Sequence, residues 1–534
     1  MIAHAAADSS LNEENLQPSA KPLPQSQFFA MQGGNMADTQ PNMLFILPDQ
    51  LRRDVVGAYG SEVCRTPHLD RLADEGVRCD MAYTACGLCS PTRASILTGK
   101  FPHNHGLLTN IHDRHTLVGM PTDHATWGQG LRAAGYQTGY VGKWHVSAGE
   151  GPADYGFADG FADHKGLAEY RAEHGLAPGE PDVTVAATMP MGEVRPLAGT
   201  YAGELEGYSD YYLCVRAREL LAHYIRETRE SGRSFCLRLD TPGPHIPNII
   251  PEPYASMYDP ATLPLWSSQR DSLAGKPAIV ERLRRAWGTD SFTPEDWGRL
   301  IACYFGHVTL IDHLIGQLIA DLDASGLAEN TLVIVSTDHG DNAGSRRMVD
   351  KGYHMCEETY HIPLIARWPA GLPAGTSTDA PISHVDYAPT LLAAAGAEPL
   401  PDIDGRDALP VLRGDTPDDW PEHSFSEFHG MQWGLYSQRM VRTKRYKLVF
   451  NALDPAEFYD LRTDPDEMNN LIDNVDHQAL IEDHWRRLVA AMKRTRDPFY
   501  EDLFTRGACD PDWVPGTHPR AQGDPPLRTA RFPR

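Results

Sequence analysis

The sequence contains no long hydrophobic stretch and no surplus of basic residues. No apolar stretch reaches the roughly eighteen residues at which a segment becomes a candidate transmembrane helix. The formal net charge is −24, whereas non-specific binding to nucleic acid or to an anionic membrane needs a basic face. We therefore predict neither a nucleic-acid partner nor a membrane partner. A small anionic substrate is not excluded, because a local group of Lys, Arg and His residues can override the overall charge.

Cysteine is scarce, and its distribution does not indicate disulfide bonds. The nine cysteines are odd in number and scattered along 534 residues, whereas disulfide-stapled domains are short and rich in paired cysteines. We therefore predict reduced thiols and a cytoplasmic location. Residues 1–40 are polar and rich in Pro, Gln and Ser, without the basic and apolar regions of a signal peptide. We expect them to form a mobile arm or an extension ahead of the fold.

Apolar stretches of strand length alternate with helical patterns over residues 41–404. The stretch Met43–Leu47 is typical of a strand buried on both faces of a parallel sheet. Helices are expected to begin at Thr66-Pro67 and at Ser90-Pro91, and a longer amphipathic helix is expected over Trp297–Leu322. Further strands are predicted at residues 139–141, 235–239 and 332–335. This alternation predicts an α/β domain with a large, mostly parallel (mixed) sheet between layers of helices.

The pattern changes beyond about residue 405. Short strands are expected at Tyr446–Phe450 and Phe458–Leu461, followed by a helix over about residues 478–493. Together they predict a smaller C-terminal α+β domain over residues 405–505. Residues 506–534 are rich in Pro, Arg and Gly, and we expect this tail to wrap a surface or to support a homo-oligomer.

Two of the predicted strands are each followed by a pair of polar residues. Asp49 and Gln50 come just after the first strand, and Asp338 and His339 follow the strand at residues 332–335. Ligands of open α/β sheets bind at the carboxyl ends of strands, and four such groups can hold one divalent cation. Each pair alone is equally compatible with a turn or a helix cap. The metal interpretation therefore depends on the two pairs meeting.

Residues 86–95, CGLCSPTRAS, contain two cysteines three positions apart. A redox pair would need a thioredoxin-like setting, and a zinc site would need a second close pair; the sequence offers neither. A plain interpretation is a helix N-terminus with Ser90 as its cap and Cys86 as a packing residue. The pattern Cys89-x-Pro91-x-Arg93 offers another interpretation, which needs support from the rest of the chain.

That pattern, followed by residues 94–99 (ASILTG), resembles the signature of the formylglycine-dependent type I sulfatases of the alkaline phosphatase superfamily. Other segments match elements of that family in the same order: the strand ending at Asp49, residues 66–76, Gly142-Lys-Trp-His145, Pro244-His-x-Pro247, Ser336–Gly340, Lys351-Gly-Tyr353 and Ile362–Pro369. In this family a separate formylglycine-generating enzyme oxidises the motif cysteine, and the hydrate of the resulting Cα-formylglycine is the nucleophile. The resemblance covers most of residues 41–505.

The resemblance implies a role for each matched side chain. The implied metal ligands are Asp49, Gln50, Cys89, Asp338 and His339. The implied catalytic residues are Cys89, Arg93, Lys143, His145, His245 and Lys351, and the implied substrate-binding residues are Asn110, Lys143, His245 and Lys351. In this scheme Arg93 orients the nucleophile, both lysines neutralise sulfate oxygens, His245 protonates the leaving alcohol, and His145 takes the proton that releases the sulfate.

Two positions depart from the commoner family pattern. Asp49-Gln50 stands where many members have Asp-Asp, and Asp338-His339 stands where many have Asp-Asn. Both variants resemble choline-sulfatase-like and phosphonate monoester hydrolase-like relatives. An amide and an imidazole make the donor set softer than an all-oxygen calcium cage, so the expected cation is Ca²⁺ with Mn²⁺ as the alternative.

We expect the substrate to be a small-molecule aryl or alkyl sulfate. One alternative is a phosphonate monoester or phosphodiester hydrolase on the same scaffold, and another is a non-catalytic metal-binding protein in which Cys89 stays a thiol. The Lys143-x-His145 pair favours the sulfatase, because the phosphonate hydrolases tend to carry neutral hydroxyl residues there. Residues 149–234 and the C-terminal domain are expected to shape the pocket for the leaving group.

Overall fold

The apolar stretch at residues 43–47 becomes the centre of an eight-stranded sheet. The structure is a computed structural model that describes residues 40–501, apart from residues 114, 115 and 191. The first strand, Asn42–Ile46, is buried along its whole length and pairs in parallel with a strand on each side. Its side chains alternate between two apolar clusters, with Met43 and Phe45 in one and Leu44 and Ile46 in the other. The prediction of a strand buried on both faces is confirmed.

The strands and helices are numbered in chain order. The strands are β1 (Asn42–Ile46), β2 (Val77–Cys79), β3 (Ala82–Tyr83), β4 (Gln137–Gly142), β5 (Asp159–Ala162), β6 (Glu180–Thr188), β7 (Val194–Ala202), β8 (Phe235–Asp240), β9 (Asn248–Pro251), β10 (Thr331–Val335), β11 (His361–Ile362), β12 (Ile365–Arg367), β13 (Thr376–Thr378), β14 (Ile382–Ser383), β15 (His423–Met431), β16 (Gly434–Thr443), β17 (Tyr446–Asn451) and β18 (Glu457–Asp460). The α-helices are α1 (Pro67–Asp74), α2 (Cys89–Thr98), α3 (Pro102–His105), α4 (Trp127–Ala133), α5 (Leu167–His174), α6 (Ser209–Ser231), α7 (Ala278–Ala286), α8 (Pro294–Ala324), α9 (Glu357–Tyr360), α10 (Tyr387–Ala394), α11 (Leu409–Leu412) and α12 (Gln478–Arg494).

The large sheet is mixed. Its strand order is β13-β2-β12-β10-β1-β8-β4-β5. Strand β12 runs antiparallel to both of its neighbours, and the other neighbouring pairs are parallel. Helices cover both faces, and the strands at residues 137–142, 235–240 and 331–335 lie where the sequence predicts them. The predicted fold class is therefore confirmed.

The helix boundaries follow local capping chemistry in one case and tertiary contacts in another. Helix α8 begins after Thr293, whose side chain accepts from the backbone N–H of Asp296 while the Asp296 carboxylate accepts from the backbone N–H of Thr293. Helix α2 begins at Cys89 rather than after a Ser90 cap, so the prediction of Ser90 as the cap is wrong. The backbone N–H of Ser90 instead donates to Oδ1 of Asn110 at 3.0 Å, a partner that the local sequence does not reveal.

The C-terminal part contains a second sheet of four antiparallel strands, β15-β16-β17-β18, packed against α12. The two predicted strands correspond to β17 and β18, and the predicted helix corresponds to α12. The sequence analysis missed β15 and β16, because polar residues such as Glu427, Gln438 and Arg439 are buried in them and break the apolar pattern. The boundary predicted near residue 405 stays a prediction.

Some predictions concern segments that lie outside the described residues. These are the arm at residues 1–39 and the tail at residues 506–534. Within the described part of the chain, no helix combines the length and the apolar character needed to cross a bilayer.

Candidate active site

Three neighbouring strands each deliver a carboxylate to one arginine. Asp49 lies just past β1, Asp240 ends β8, and Asp338 lies just past β10. The guanidinium of Arg93, on α2, donates to Asp240 at 2.6 Å, to Asp338 at 2.9 Å and to Asp49 at 3.0 Å. All four side chains are fully buried. Arg93 therefore joins α2, which begins with Cys89, to the carboxyl edge of the sheet.

Cys89 is the first residue of α2 and its thiol is buried beside this arginine site. Its Sγ lies 3.2 Å from Nε2 of His339 and 3.9 Å from Oδ1 of Asp49. Burial opposes ionisation of the thiol, but the positive charges of Lys143, Lys351 and His339 outweigh it and hold the pKa of Cys89 well below its ordinary value. A cysteine in such surroundings is reactive rather than inert.

Four buried side chains converge as a candidate metal centre. One ligand atom from each of Asp49, Cys89, Asp338 and His339 lies within 4.8 Å of the others. Nδ1 of His339 donates to the carbonyl of Gly340 at 2.8 Å, which leaves its Nε2 facing Cys89. Two carboxylates and an imidazole held in this way suit a divalent cation such as Ca²⁺ or Mn²⁺. The residues therefore fit the metal that the sequence analysis predicts.

The electrostatics of the two carboxylates differ. Burial raises the pKa of Asp49, but Lys143, His245 and Arg93 outweigh it and hold that pKa well below its usual range. Burial and the nearby charge of Asp49 raise the pKa of Asp338. The pKa values of the two carboxylates are thus shifted in opposite directions. This suits a site in which one carboxylate stays ionised beside a cation and the other accepts a proton.

Gln50 meets the same site through a different set of contacts. Its backbone N–H donates to Oδ1 of Asp338 at 3.0 Å, and its Oε1 accepts from Nζ of Lys351 at 2.8 Å. Its Nε2 donates to Asp341. Its backbone lies in the left-handed region, with φ of 69°, which is uncommon for a residue other than glycine. Gln50 thus links the lysine to the metal centre, and its role as a ligand stays a prediction.

The two predicted lysines and His245 also reach this site. Nζ of Lys143 donates to Oδ2 of Asp49. Nζ of Lys351 lies 2.8 Å from Nε2 of His245, whose Nδ1 is 2.5 Å from the carbonyl of Ile246. Because a protonated lysine has only donors, this lysine donates to the imidazole. The structure therefore pairs a cation with an imidazole at one point.

His145 contacts a residue that the sequence analysis missed. Its Nε2 lies 3.3 Å from Nδ1 of His112, and the two rings stack with centroids 5.4 Å apart. Burial and the positive charge of Lys143 lower the pKa of His145 to about 4, so its imidazole is neutral and able to accept a proton. The His112 side chain is 60 % exposed and lies at the mouth of the site.

Asn110 is the predicted substrate contact, and its observed contact is a different one. Its amide oxygen caps the first turn of α2 through the backbone N–H of Ser90. The residue is buried, with 4 % of its surface exposed. Asn110 thus positions the start of α2, and its contact with substrate stays a prediction.

Two missed carboxylates carry signals that a wider search of the sequence would have found. Asp240 directly follows the strand predicted at residues 235–239, much as Asp49 comes just after the first strand, and it accepts from Arg93, Arg238 and Tyr140. Asp341 comes two residues after the pair Asp338-His339 and accepts from Gln50. His112 carries no comparable signal, since its neighbour His145 is remote in sequence.

Comparison with known proteins places this site in a family. The family model described as Sulfatase matches residues 41–397, and the model described as N-sulphoglucosamine sulphohydrolase, C-terminal, matches residues 344–494. The uncharacterized sulfatase YidJ of Escherichia coli (strain K12) is 29% identical over 505 residues, which cover 90% of this chain and 94% of that protein. The N-acetylglucosamine-6-O-sulfatase of Bacteroides thetaiotaomicron is 27% identical over 522 residues, covering 86% and 87%.

A solved structure agrees with the sequence relatives. The phosphonate monoester hydrolase SpPMH from Silicibacter pomeroyi superposes with a TM-score of 0.72 at 27% identity, covering 86% of this chain and 97% of that one. The Sulfatase model spans well over half of the chain and includes every predicted site residue. The chain therefore belongs to the sulfatase family of the alkaline phosphatase superfamily, and it is a sulfuric ester hydrolase.

Proposed function

We propose that this sulfatase hydrolyses a small aryl or alkyl sulfate monoester, with Cys89 converted to Cα-formylglycine and one divalent cation bound beside it. The observation that carries the proposal is the place of the Cys89 side chain. It lies at the N-terminus of α2, within reach of two carboxylates and an imidazole and among the charges of Lys143 and Lys351. The side chain proposed as the nucleophile, the ligands for a cation and the charges that would bind the sulfate oxygens thus all lie at one buried place.

The cations of the site serve the substrate and the nucleophile in different ways. A sulfate ester carries negative charge on its oxygens, and Lys143 and Lys351 neutralise it as the ester binds. Arg93 is fully occupied by three carboxylates, so it holds the metal ligands and the nucleophile helix in place rather than binding the ester. A cation bound by Asp49, Asp338 and His339 would supply Lewis-acid chemistry that lowers the pKa of the nucleophile hydroxyl.

Proton transfer at the leaving group falls to His245 and Lys351. Their nitrogens are 2.8 Å apart, with Lys351 as the donor. A proton that Lys351 passes to Nε2 of His245 can go on to the leaving alcohol oxygen, and Lys351 ends this step neutral, to be reprotonated from solvent before the next ester binds. On the other side, the neutral imidazole of His145 accepts the proton that accompanies release of the sulfate. The pKa of about 4 for His145 keeps it in the accepting form at neutral pH.

The test is the chemical state and the necessity of residue 89. We expect intact-peptide mass spectrometry of protein from cells with a formylglycine-generating enzyme to find the aldehyde or its hydrate at position 89. Cys89→Ala should abolish release of sulfate from an aryl sulfate while keeping the fold. Cys86→Ala is the matched control, since Cys86 is also buried but packs in an apolar cluster; it should keep its activity. An unmodified thiol in folded protein that turns over no aryl sulfate would refute the proposal.

A phosphonate monoester hydrolase is the second candidate. The solved structure of SpPMH, a protein with that activity by its name, shares this fold. The Lys143-x-His145 pair favours the sulfatase as the main activity, because phosphonate hydrolases tend to carry neutral hydroxyl residues at these positions. A panel of aryl, alkyl, choline and sugar sulfates with a phosphonate monoester decides between them. A kcat/KM higher on the phosphonate than on every sulfate would reverse the order of the two candidates.

We also propose a cytoplasmic location and Ca²⁺ as the cation, with Mn²⁺ as the alternative. The eight cysteines within the described residues are all free thiols, which supports a reducing compartment. The hard carboxylate ligands support Ca²⁺, and the imidazole of His339 supports Mn²⁺. Metal analysis of the purified protein distinguishes the two cations.

A further inference from the structure

The turn of the β15–β16 hairpin lies directly beside the catalytic lysine. Gly352 follows Lys351, and a Cβ on Gly352 would lie 2.8 Å from Sδ of Met431. The hydroxyl of Tyr353 donates to the carbonyl of Gly434 at 2.8 Å. The segment after the lysine is therefore held against both ends of the four-residue turn Met431–Gly434, and the C-terminal sheet reaches the rim of the active site.

This turn presents the one exposed tryptophan among the described residues. Trp433 has 37 % of its surface exposed, whereas the other described tryptophans are buried or half-buried. Its ring meets Trp287 edge to face, with centroids 5.5 Å apart and planes at 84°. Trp287 is buried with 2 % exposed, so Trp433 rests on a fixed support and keeps one face open to solvent.

The support of Trp433 belongs to the apolar cluster that underlies the nucleophile. Trp287, Tyr353 and Leu88 are members of the same buried cluster, and Leu88 directly precedes Cys89. Ile246, next to the proposed proton donor His245, packs against this cluster. Apolar contacts therefore run without a break from the catalytic residues to Trp433.

The loop that carries His112 is a second exposed feature next to the catalytic residues. The His112 side chain is 60 % exposed and its ring stacks on that of His145. The backbone N–H of Asp113 donates to the carbonyl of Asn110, whose amide oxygen accepts from the backbone N–H of Ser90, next to Cys89. An exposed imidazole and the exposed ring of Trp433 thus both belong to segments that contact the surroundings of the catalytic residues.

We infer that the turn Met431–Gly434 forms the leaving-group wall of the active site, and that Trp433 selects sulfate esters whose leaving group is an aromatic ring. The inference rests on the proposed function, since it names the substrate class of that same site. An aryl leaving group covers the open face of Trp433 and gains a ring contact as well as apolar burial. A short alkyl leaving group cannot reach that face.

The test compares an aryl sulfate with methyl sulfate in the Trp433→Ala variant of the mature enzyme. We expect kcat/KM on 4-nitrophenyl sulfate to fall about ten-fold or more through KM, with kcat nearly unchanged, because a binding contact is lost. On methyl sulfate kcat/KM should change less than about two-fold. Trp433→Phe keeps an aromatic face and should recover most of the aryl activity. Leu435→Ala is the matched control, since Leu435 is exposed on the same hairpin, and it should leave both activities unchanged.

Each contrary outcome identifies what has failed. Unchanged aryl kinetics in Trp433→Ala would overturn the inference, and an equal loss on both substrates would also overturn it, because it would show a structural role for the turn. Wild-type enzyme without turnover of either sulfate, or full activity in Cys89→Ala, would instead refute the proposed function. The two failures are therefore separate.

Discussion

At the scale of single residues, Arg93 decides the geometry of the site. Its guanidinium donates from Nε and from both terminal nitrogens. These donors reach the carboxylates of Asp49, Asp240 and Asp338, which lie at the ends of three strands. A lysine carries the same charge on one small ammonium group and cannot meet all three carboxylates. We expect Arg93→Lys to lower kcat/KM at least about 100-fold and to lower the free energy of unfolding by about 3 kcal/mol.

The measurement for Arg93→Lys combines steady-state kinetics with urea unfolding. Arg71→Lys is the control, because Arg71 also pairs with carboxylates on a helix but is 41 % exposed; it should change neither quantity appreciably. A kcat/KM of Arg93→Lys within about five-fold of the wild-type value would show that a positive charge alone is enough to hold the three carboxylates.

At the scale of secondary-structure elements, α3 is fastened to the C-terminal sheet by a buried ion pair. Nδ1 of His103 lies 2.6 Å from Oε2 of Glu427 on β15, and both side chains are buried. Burial alone would lower the pKa of His103, but the charge of Glu427 and its hydrogen bond raise that pKa to about 9. The folded state thus binds this proton more tightly than the unfolded chain, whose histidines titrate near 6.5.

The raised pKa of His103 fixes the sign of a pH effect on stability. Its stabilising contribution is complete below about pH 6.5 and is lost as the pH rises through about 9. The pKa difference between the folded state and the unfolded chain corresponds to a loss of at most about 3 kcal/mol in the free energy of unfolding. Urea unfolding at pH 6.5 and at pH 9.5 measures the loss, and His103→Gln should show a smaller loss than wild type.

His223→Gln is the control for this pH effect, since His223 is exposed on α6. This variant should lose as much free energy of unfolding between pH 6.5 and pH 9.5 as the wild type does. An equal loss in His103→Gln would contradict the assignment of the pH effect to His103.

The elements also show where sequence patterns stop being informative. The apolar stretch of β1 and the helical spacing of apolar residues over Trp297–Leu322 are local signals, and the structure confirms the strand and a helix, α8, that spans those residues. The β15–β16 hairpin was missed because Glu427 and Arg439 are buried in it. These charged residues are tolerated because His103 and Asp497, remote in sequence, pair with them. A buried charge is predictable only once its partner is known.

At the scale of the whole molecule, the candidate metal centre brings together distant parts of the chain. Its candidate ligands are residues 49, 89, 338 and 339, so an unfolded chain holds no such site. A cation that binds only the folded state stabilises it by about 2.7 kcal/mol at one hundred times its Kd. We expect EDTA to lower the Tm by a few degrees and Ca²⁺ or Mn²⁺ to restore it.

Differential scanning calorimetry measures this metal effect, and Asp338→Asn is the control because it removes one carboxylate ligand and should blunt the response. A Tm that neither chelator nor cation changes would contradict a metal centre in these residues.

The whole molecule also shows how much of the site the sequence could predict. Short motifs, together with the family resemblance that they carry, pointed to the residues that meet around Cys89, and some of these motifs lie at a strand end or a helix start, as Asp49, Asp338 and Cys89 do. The partner of each group was not predictable in the same way. Gln50 contacts Lys351 from a distance of 301 residues, and this choice depends on a left-handed backbone at Gln50 that no sequence pattern shows.

The burial of Cys89 bears on when its proposed conversion to formylglycine can occur. In the folded chain only 1 % of the residue is exposed, and the whole of α2 around it is buried. Under the proposed function we expect the oxidising enzyme to act while the segment is still extended, before β1, β8 and β10 close around it. We therefore expect protein that folds first to keep its thiol, and later addition of the oxidising enzyme to leave that thiol unconverted.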